Sequence, residues 1–501
     1  MSIKSDLQKI QNIKEDMHTE LTNKEVGISN DTPFEEYPEK VKEIEAPASS
    51  VCCILKVEPT PSDATVTFTN LSNFQNQASV MQSNSIGYTV SKDGYVSVSD
   101  SELMDGNKSI QVVLPRTSPN IVKVRSDTGG ILLLTDTGDL WATGRHQNSD
   151  NKSNKALKIA SNVKDMWDSV YLTNDGELYG KGSTKYNMLK SAEGSTVWKK
   201  FASNIKDFDI DSGSSSAAYI DINNDLYLCG KNDYGQQGSR TTTDVTSYTK
   251  RASNVKKVAT GWYSTQYIDM NNALYSCGNP RYLGINSPYT TPTITTFAKR
   301  RDNVINVVNG DTTLAIEDTN HNLYITGGLA VEEGQINFHY DWLFCCSNVK
   351  GYDLEYTLFY IDSSNDLYAS ATAQAPTGDG KDYRYIVKVR EGVKQAKGCQ
   401  WTSYCIDTDN KLYSCAFASG STIHGNRYGQ LGTGDYVAHK TWTYVTDNVT
   451  DISGNFGSES CVVLKENTPY ACGYNPSGAL GVGSTEQSIP TLTPILFDYQ
   501  D

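Results

Sequence analysis

Between residues 119 and 499, apolar and polar positions alternate in short runs that return at a regular spacing. Residues 220–230 read Ile-Asp-Ile-Asn-Asn-Asp-Leu-Tyr-Leu-Cys-Gly, residues 268–278 read Ile-Asp-Met-Asn-Asn-Ala-Leu-Tyr-Ser-Cys-Gly, and residues 406–415 read Ile-Asp-Thr-Asp-Asn-Lys-Leu-Tyr-Ser-Cys. Further copies centre on Leu178-Tyr179, Leu323-Tyr324 and Leu367-Tyr368, with weaker ones at Leu140-Trp141 and Pro469-Tyr470. Over the seven intervals from position 141 to position 470 the mean period is 47 residues. Each copy is an apolar run, a polar Asp/Asn/Ser/Gly cluster and an alternating run beginning Leu-Tyr, which is the composition of two strands joined by a tight turn. A second motif lies upstream, Ser161-Asn-Val-Lys-Asp, with copies beginning at Ser203, Ser253, Asp302, Ser347 and Asp447. It predicts a turn and another strand. Strand-like stretches such as Ser247-Tyr-Thr-Lys-Arg and Thr441-Trp-Thr-Tyr-Val precede it, giving about four strands per period.

Four-stranded units repeated around an axis make a β-propeller, which leaves only short, protected sheet edges. A helical solenoid would need amphipathic stretches of period 3.6, and none follows residue 45. The predicted fold is therefore mainly β: an N-terminal helix, a small β-sandwich, then a seven- or eight-bladed β-propeller. Eight hairpins can be counted, the eighth degenerate. The run Pro490-Thr-Leu-Thr-Pro-Ile-Leu-Phe-Asp498 has no hairpin after it and is expected to complete the first blade, whose Leu140-Trp141 hairpin lacks an obvious outer strand.

The expected domains are an N-terminal helical anchor at 1–45, a sandwich spacer at 51–115 and the propeller at 119–501. Within 2–26, Ile3, Leu7, Ile10, Met17 and Leu21 form one apolar stripe with Ile13 adjoining. The stripe predicts a helix of about 36 Å at ~1.5 Å per residue. Such a stripe needs a partner: copies of itself in a coiled coil, a groove on another protein, or the chain's own β domain. A second short helix is expected from Thr32-Pro33-Phe34 to Ile44. Ala46-Pro-Ala-Ser-Ser50 reads as a linker, and the segments beginning at Leu55, Tyr88 and Ser109 read as alternating strands, with a turn at Asp93-Gly94.

Charge narrows the partners. With 44 Lys and Arg against 58 Asp and Glu, the formal net charge is −14, so a sequence-independent grip on nucleic acid has no electrostatic support. No run of about 18 apolar residues occurs, so membrane insertion is not expected and a soluble protein is. No secretory signal is visible at the start, and export by the usual route is not expected. Eleven cysteines include the adjacent pairs Cys52-Cys53 and Cys345-Cys346. Cys229, Cys277, Cys415 and Cys472 share one repeat position, directly before Gly or Ala, which favours small buried packing residues over disulfides.

Catalytic signatures are missing. The six histidines, at 18, 146, 321, 339, 424 and 439, include no zincin-type pair, and neither a phosphate loop nor a nucleophile elbow is present. No Cys-x-x-Cys pairing suggests structural zinc. Asp407-Thr-Asp-Asn410 and Asp221-Ile-Asn-Asn-Asp225 are oxygen-rich, but they lack the glycine and distal Glu of calcium loops, and Asp and Asn also fill tight turns by bonding the local backbone. The expectation is a non-enzyme with no cofactor and no metal. Trp262 and Trp401, at nearly corresponding places before a strand, and Tyr234 and Tyr428, each before a turn glycine, are candidate binding residues. Trp and Tyr supply large contact area at low entropic cost, and equally fill space between blades. The irregular stretches 370–386 and 417–440 are the expected places for specificity.

Four hairpins run into glycine-containing turns: Asn232-Asp-Tyr-Gly-Gln-Gln-Gly238, Asn279-Pro-Arg-Tyr-Leu-Gly284, Asn426-Arg-Tyr-Gly-Gln-Leu-Gly432 and Asn475-Pro-Ser-Gly-Ala-Leu-Gly481. With the Leu-Tyr-x-x-Gly strands, the region 119–499 resembles the repeat of the regulator of chromosome condensation propeller family. That family usually carries a histidine where this chain has Gly261-Trp-Tyr-Ser-Thr-Gln or Gly398-Cys-Gln-Trp-Thr-Ser, so the resemblance implies the fold and not nucleotide exchange. The opening, Leu7-Gln-Lys-Ile-Gln-Asn-Ile-Lys-Glu-Asp and Asp31-Thr-Pro-Phe-Glu-Glu-Tyr-Pro38, is similar to N-termini of bacteriophage tail-associated proteins. The Pro-Ser-Asp-Ala-Thr-Val and Ser-Lys-Asp-Gly-Tyr strings resemble PEGA-type and immunoglobulin-like spacer modules. These resemblances imply a virion protein of the tail, made in the host cytoplasm. Its helix would dock on other virion proteins or form a homo-oligomer such as a trimer, and its propeller would contact a host-surface glycan or protein. The alternative is a cellular propeller scaffold that binds a protein partner such as a small GTPase. A glycan-degrading enzyme would need a carboxylate pair facing one cavity.

Overall fold

The computed structural model describes residues 12–17 and 52–499, apart from 74, 93–96, 114–118, 128, 149–152, 168, 183, 185, 212–214, 286–291, 311, 329–338, 355–356, 372–376, 381–384, 400, 418–424 and 454–458. Two units divide the chain, Met1–Thr117 and Ser118–Asp501. Of the helix predicted for 2–26, residues 12–17 are described and are helical; its remainder, the helix before Ile44 and the Asp93-Gly94 turn lie outside the described residues.

In the first unit, strands Cys52–Thr60, Gln77–Met81 and Lys108–Val113 form one sheet, and Thr65–Phe68, Ser85–Ser91 and Val98–Leu103 form a second. Period-two alternation sends one face of each strand inward. Cys53, Leu55 and Val57 from the first sheet and Val66, Phe68, Ile86, Tyr88 and Val90 from the second make a single core, so the two sheets are a sandwich.

Among the described residues, the second unit holds eight sheets in succession. In each, four antiparallel strands, named a to d from the innermost, follow chain order. Blade 1 comprises Ile121–Asp127, Gly130–Thr135, Leu140–Ala142 and Ala156–Ala160. Blades 2 to 8 have innermost strands Val163–Trp167, Ile205–Ile210, Val255–Thr260, Val304–Asn309, Gly351–Leu354, Val393–Gly398 and Val449–Ser453. Apolar faces pack blade on blade: Leu132, Leu134 and Leu140 of blade 1 meet Val163 and Met166 of blade 2. The ring closes because Val462, Leu464 and Ala471 of blade 8 share a core with Ile121, Val124 and Trp141 of blade 1. The structure is thus an eight-bladed propeller, and the eighth repeat, degenerate in sequence, is a full four-stranded blade.

The closing segment differs from expectation. Blade 1 has its own outer strand, Ala156–Ala160, and Ser488–Pro494 is the outer strand of blade 8. Only Phe497–Asp498 crosses over, pairing parallel to Ala156 and Leu157 as a fifth strand. Phe497 and Tyr499 set their ring edges against Trp141, each at 5.1 Å between centroids.

The two sequence motifs that mark the repeat have backbone roles. The asparagines of the Asn-Val motif, 162, 204, 254, 303, 348 and 448, all adopt left-handed φ between 51° and 63°, a region Asn tolerates better than other non-glycine residues. A second left-handed residue sits in each b–c hairpin: Gly138, Gly176, Asn224, Asn272, His321, Asn365, Asn410 and Asn467. Its carbonyl accepts a hydrogen bond from the amide at the start of the next innermost strand, or in blade 6 from Val349 just before it, from Val163 to Gly138 through to Val449 to Asn410, and from Ile121 back to Asn467. Seven of these bonds measure 2.8–3.0 Å and the closing one 3.4 Å.

The tyrosines that mark the period stack across strands b and c. Tyr171–Tyr179, Tyr219–Tyr227, Tyr267–Tyr275 and Tyr360–Tyr368 lie 4.8–4.9 Å apart, three of the four pairs within 9° of parallel. Cys229, Cys277, Cys415 and Cys472 are free, fully buried thiols on strand c.

Asn272→Val should lower the unfolding free energy by ~1–2 kcal/mol, because a β-branched residue is strained at φ 62°. Asn272→Gly should cost only about a few tenths of a kcal/mol. Denaturant midpoints at constant slope would check both.

Candidate recognition surface

Antiparallel pairing puts the a–b and c–d connections of every blade at one end of the ring, and the b–c hairpins and blade-to-blade crossovers at the other. The hairpin end is occupied by turn chemistry. Asp221 Oδ1 accepts from the amides of Asn223 and Asp225, both at 2.9 Å. Asp269, Asp318, Asp362 and Asp407 repeat the pair of bonds at the same spacing. The oxygens that resemble calcium ligands are therefore turned onto their own backbone, as Asx-turns are.

The glycine-rich turns are braces of the opposite end. Asn232, Asn426 and Asn475 are buried. Each donates to loop carbonyls, such as Thr241 O at 2.8 Å and Val437 O at 2.8 Å, and accepts from an amide five residues on, such as Leu480 N at 2.8 Å. Gly235 and Gly429 press against the outer strand of the following blade. A Cβ would stand 2.9 Å from Thr295 Cα at the first and 2.3 Å from Pro490 Cα at the second, with φ 74° and 76°. Only glycine fits there.

The four aromatic candidates all fall at this loop end, but not together. Tyr234 is half-buried and packs edge-on against Tyr263 at 5.0 Å. Trp262 is 37% exposed, with Tyr263 at 6.5 Å and the Lys231 ammonium 5.5 Å above its ring. Tyr282 joins Tyr263 at 5.2 Å. Tyr234, Trp262, Tyr263, Tyr282 and Lys231 thus form one patch across blades 3 and 4. Tyr428 belongs to a separate pair with Tyr474, at 4.3 Å across blades 7 and 8, beside the ion pair Arg427–Glu459 at 2.6 Å. Trp401 is half-buried near Phe417 at 6.2 Å. Sequence reasoning missed Lys231, Tyr263 and Tyr282. Their signal was present, Tyr263 adjoining Trp262 and Tyr282 lying inside one of the quoted turns, but only pairing places them together. Of the irregular stretches, 372–376, 381–384 and 418–424 lie outside the described residues.

Buried ionisable groups nearby are engaged structurally. In blade 1, buried Asp127 accepts from Gly129 N at 2.7 Å and pairs with His146 Nε2 at 3.0 Å and Arg145 Nε at 2.9 Å. Burial alone would raise its carboxyl, but the His146 hydrogen bond and charge, with Arg145, outweigh it and hold the pKa at about 2. In blade 3, Asp207 and Asp209 on strand a and Asp211 directly after it fall at alternate positions, and burial raises all three. Asp209 accepts from both Thr260 N and Oγ1 at 2.7 Å, and Asp211 from Ser215 Oγ at 2.6 Å. These acids tie strands and loops together.

Fold and site define a closed β-propeller with an aromatic, lysine-flanked loop surface. No protein-family model matches the chain, and no curated protein matches it. Among solved structures it is similar to human WBSCR16, at 14% identity and TM-score 0.44, over 70% of this chain and 88% of that one. It is also similar to Prp20p from Saccharomyces cerevisiae, described with its binding properties to Gsp1p and histones, at 14% identity and TM-score 0.47, over 67% and 90%. Yeast RCC1 (Prp20) bound by Kap60 gives 15% identity and TM-score 0.47, over 67% and 88%.

Trp262→Ala should change stability by less than ~0.5 kcal/mol, as an exposed side chain would. Asp127→Asn should cost about 2 kcal/mol near neutral pH, the equivalent of its shift from 3.8 to about 2. Because the folded pKa is depressed, that stability is present above about pH 4 and is lost as pH falls towards 2. Denaturation of both variants from pH 7 to pH 2 would check the pair, and the Asp127→Asn deficit should shrink with acid.

Proposed function

We propose that the chain is a non-enzymatic recognition protein whose propeller grips a protein partner through the loop end of blades 3 and 4. The observation that carries this reading is the exposed Trp262, set among Tyr234, Tyr263 and Tyr282 with Lys231 over its ring. Aromatic anchors flanked by a cation are the side chains that dominate protein interfaces. The scaffold beneath is fixed by the glycine-turn braces, so the anchors are held before binding and little ordering entropy is lost. The partner sees a rigid surface.

A second reading places the same surface on a phage tail, facing a host glycan or protein. Its support is the separately folded sandwich of the first unit and the apolar stripe of the N-terminal sequence, which suit a spacer and an anchor. In that setting the protein is a stoichiometric part of washed particles, which mass spectrometry would find.

The test is capture with purified protein from host lysate and on intact host cells, including small GTPases among the candidate partners. The double variant Trp262→Ala, Tyr263→Ala should weaken the captured interaction by about tenfold or more, about 1.4 kcal/mol. Tyr428→Ala should leave it within about twofold. Equal retention by the double variant would overturn the assignment of the surface. Capture on intact cells alone would favour the tail reading, and capture from lysate alone the cellular one.

A further inference from the structure

The innermost strands share a second pattern, independent of the loop end. After the buried Val or Ile, a bulge in most blades pushes one residue out of register. That residue is an exposed lysine in four blades, Lys164, Lys206, Lys256 and Lys394, and Lys350 takes the equivalent place in blade 6, which has no bulge. The next residue faces the neighbouring blade and reads Lys123, Asp165, Asp207, Lys257, Asn306, Gly351, Gln395 and Asp451 around the ring. Several of these join their neighbours directly: Lys123 with Asp165, Lys257 with Asn306, and Gln395 Nε2 with Asp451 Oδ1 at 2.7 Å. Blade 6 departs from the series, because glycine has no side chain to offer and Asn306 donates to the Tyr352 hydroxyl instead.

The gap is a cavity. A Cβ built at Gly351 would meet only Ile361 Cδ1, at 4.0 Å. A cleft of about 470 Å3 opens there between the innermost strands of blades 6 and 7, within the size range of small-molecule sites. Three ammonium groups and one carboxylate line it: Lys350, Lys394, Lys397 and Asp353. Asp353 pairs with Lys397 at 2.6 Å, while Lys350 and Lys394 donate to the neutral amide oxygens of Asn365 and Asn410. Those amides orient the two lysines without neutralising them, so the cleft is locally cationic on a chain of net charge −14. The buried Phe359 adds an aromatic wall, while the Tyr352 hydroxyl is turned to Asn306 and Glu317 of blade 5.

We propose that this cleft binds a small organic phosphate, with the phosphate between Lys350 and Lys394 and a flat apolar body against Phe359. Lysine acts here as a mobile point charge suited to phosphate. A cleft between low-dielectric walls concentrates that charge.

Phenyl phosphate is the probe, titrated calorimetrically into the full chain at low salt, with inorganic phosphate and benzoate in parallel. The expected order of affinity is phenyl phosphate, then inorganic phosphate, then benzoate. Gly351→Leu, which fills the cleft at a position with no left-handed φ, should abolish binding of phenyl phosphate while the thermal transition is retained. Lys350→Gln with Lys394→Gln should weaken it at least tenfold without relying on the glycine variant. Lys206→Gln with Lys256→Gln removes two lysines of the same ring outside the cleft and should leave affinity within twofold. An equal loss in that control would overturn the proposal by showing diffuse surface charge. Absence of phenyl phosphate binding at millimolar concentration, or full binding by Gly351→Leu, would overturn it as well.

Discussion

Each b–c hairpin turns through a residue with left-handed φ, and the carbonyl exposed by that turn receives the first amide of the next blade. Eight such bonds pass around the ring, and the remainder of the propeller follows from them. The bond fixes where the next innermost strand begins, and so fixes the register in which its buried Val or Ile meets the preceding blade. Each bond alone contributes ~1 kcal/mol net. Their effect is geometric, since an innermost amide without this partner would be left unpaired at a blade junction. The Asp that opens the hairpins of blades 3 to 7, and the Thr that opens those of blades 1 and 2, hold the same turn from within, so side chain and main chain enforce one conformation.

The period was legible because that constraint selects residue types. Asp, Asn and Gly recur where a left-handed turn must form, and Tyr recurs where cross-strand rings stack, so local chemistry wrote the repeat into the sequence. Closure was not legible in the same way. Blade 8 lacks the Asp-x-Asn-Asn signature, using Glu466 and Asn467 at positive φ instead, and looked degenerate although its strands are complete. The run from Pro490 to Asp498 looked like one strand for blade 1, yet it serves two blades, because the chain turns after Pro494, where Ile495 and Leu496 bond to Pro469 and Gly481. Of the aromatic candidates, sequence indicated Trp262 and Tyr234 separately. Their association runs through Tyr263, and depends on blade 3 lying against blade 4, a long-range fact that no local pattern carries.

The two ends of the ring divide the work. At the hairpin end, carboxylates, Asn amides and left-handed turns are consumed in holding blades together. At the loop end, the repeated geometry of the braces lies underneath, in Asn232, Asn426 and Asn475, while aromatic side chains stand above it. The axial cleft at Gly351 is a third location, created by a missing side chain in an otherwise filled series.

Because the junction bonds run between main-chain atoms at the hairpin end, they make no demand on the length or composition of the a–b and c–d segments. Insertions, deletions or wholesale exchange of those segments alter what the molecule touches while leaving the seams between neighbours intact. The architecture therefore separates heritable variation in specificity from the cost of misfolding, and lends itself to grafting foreign loops onto a constant frame.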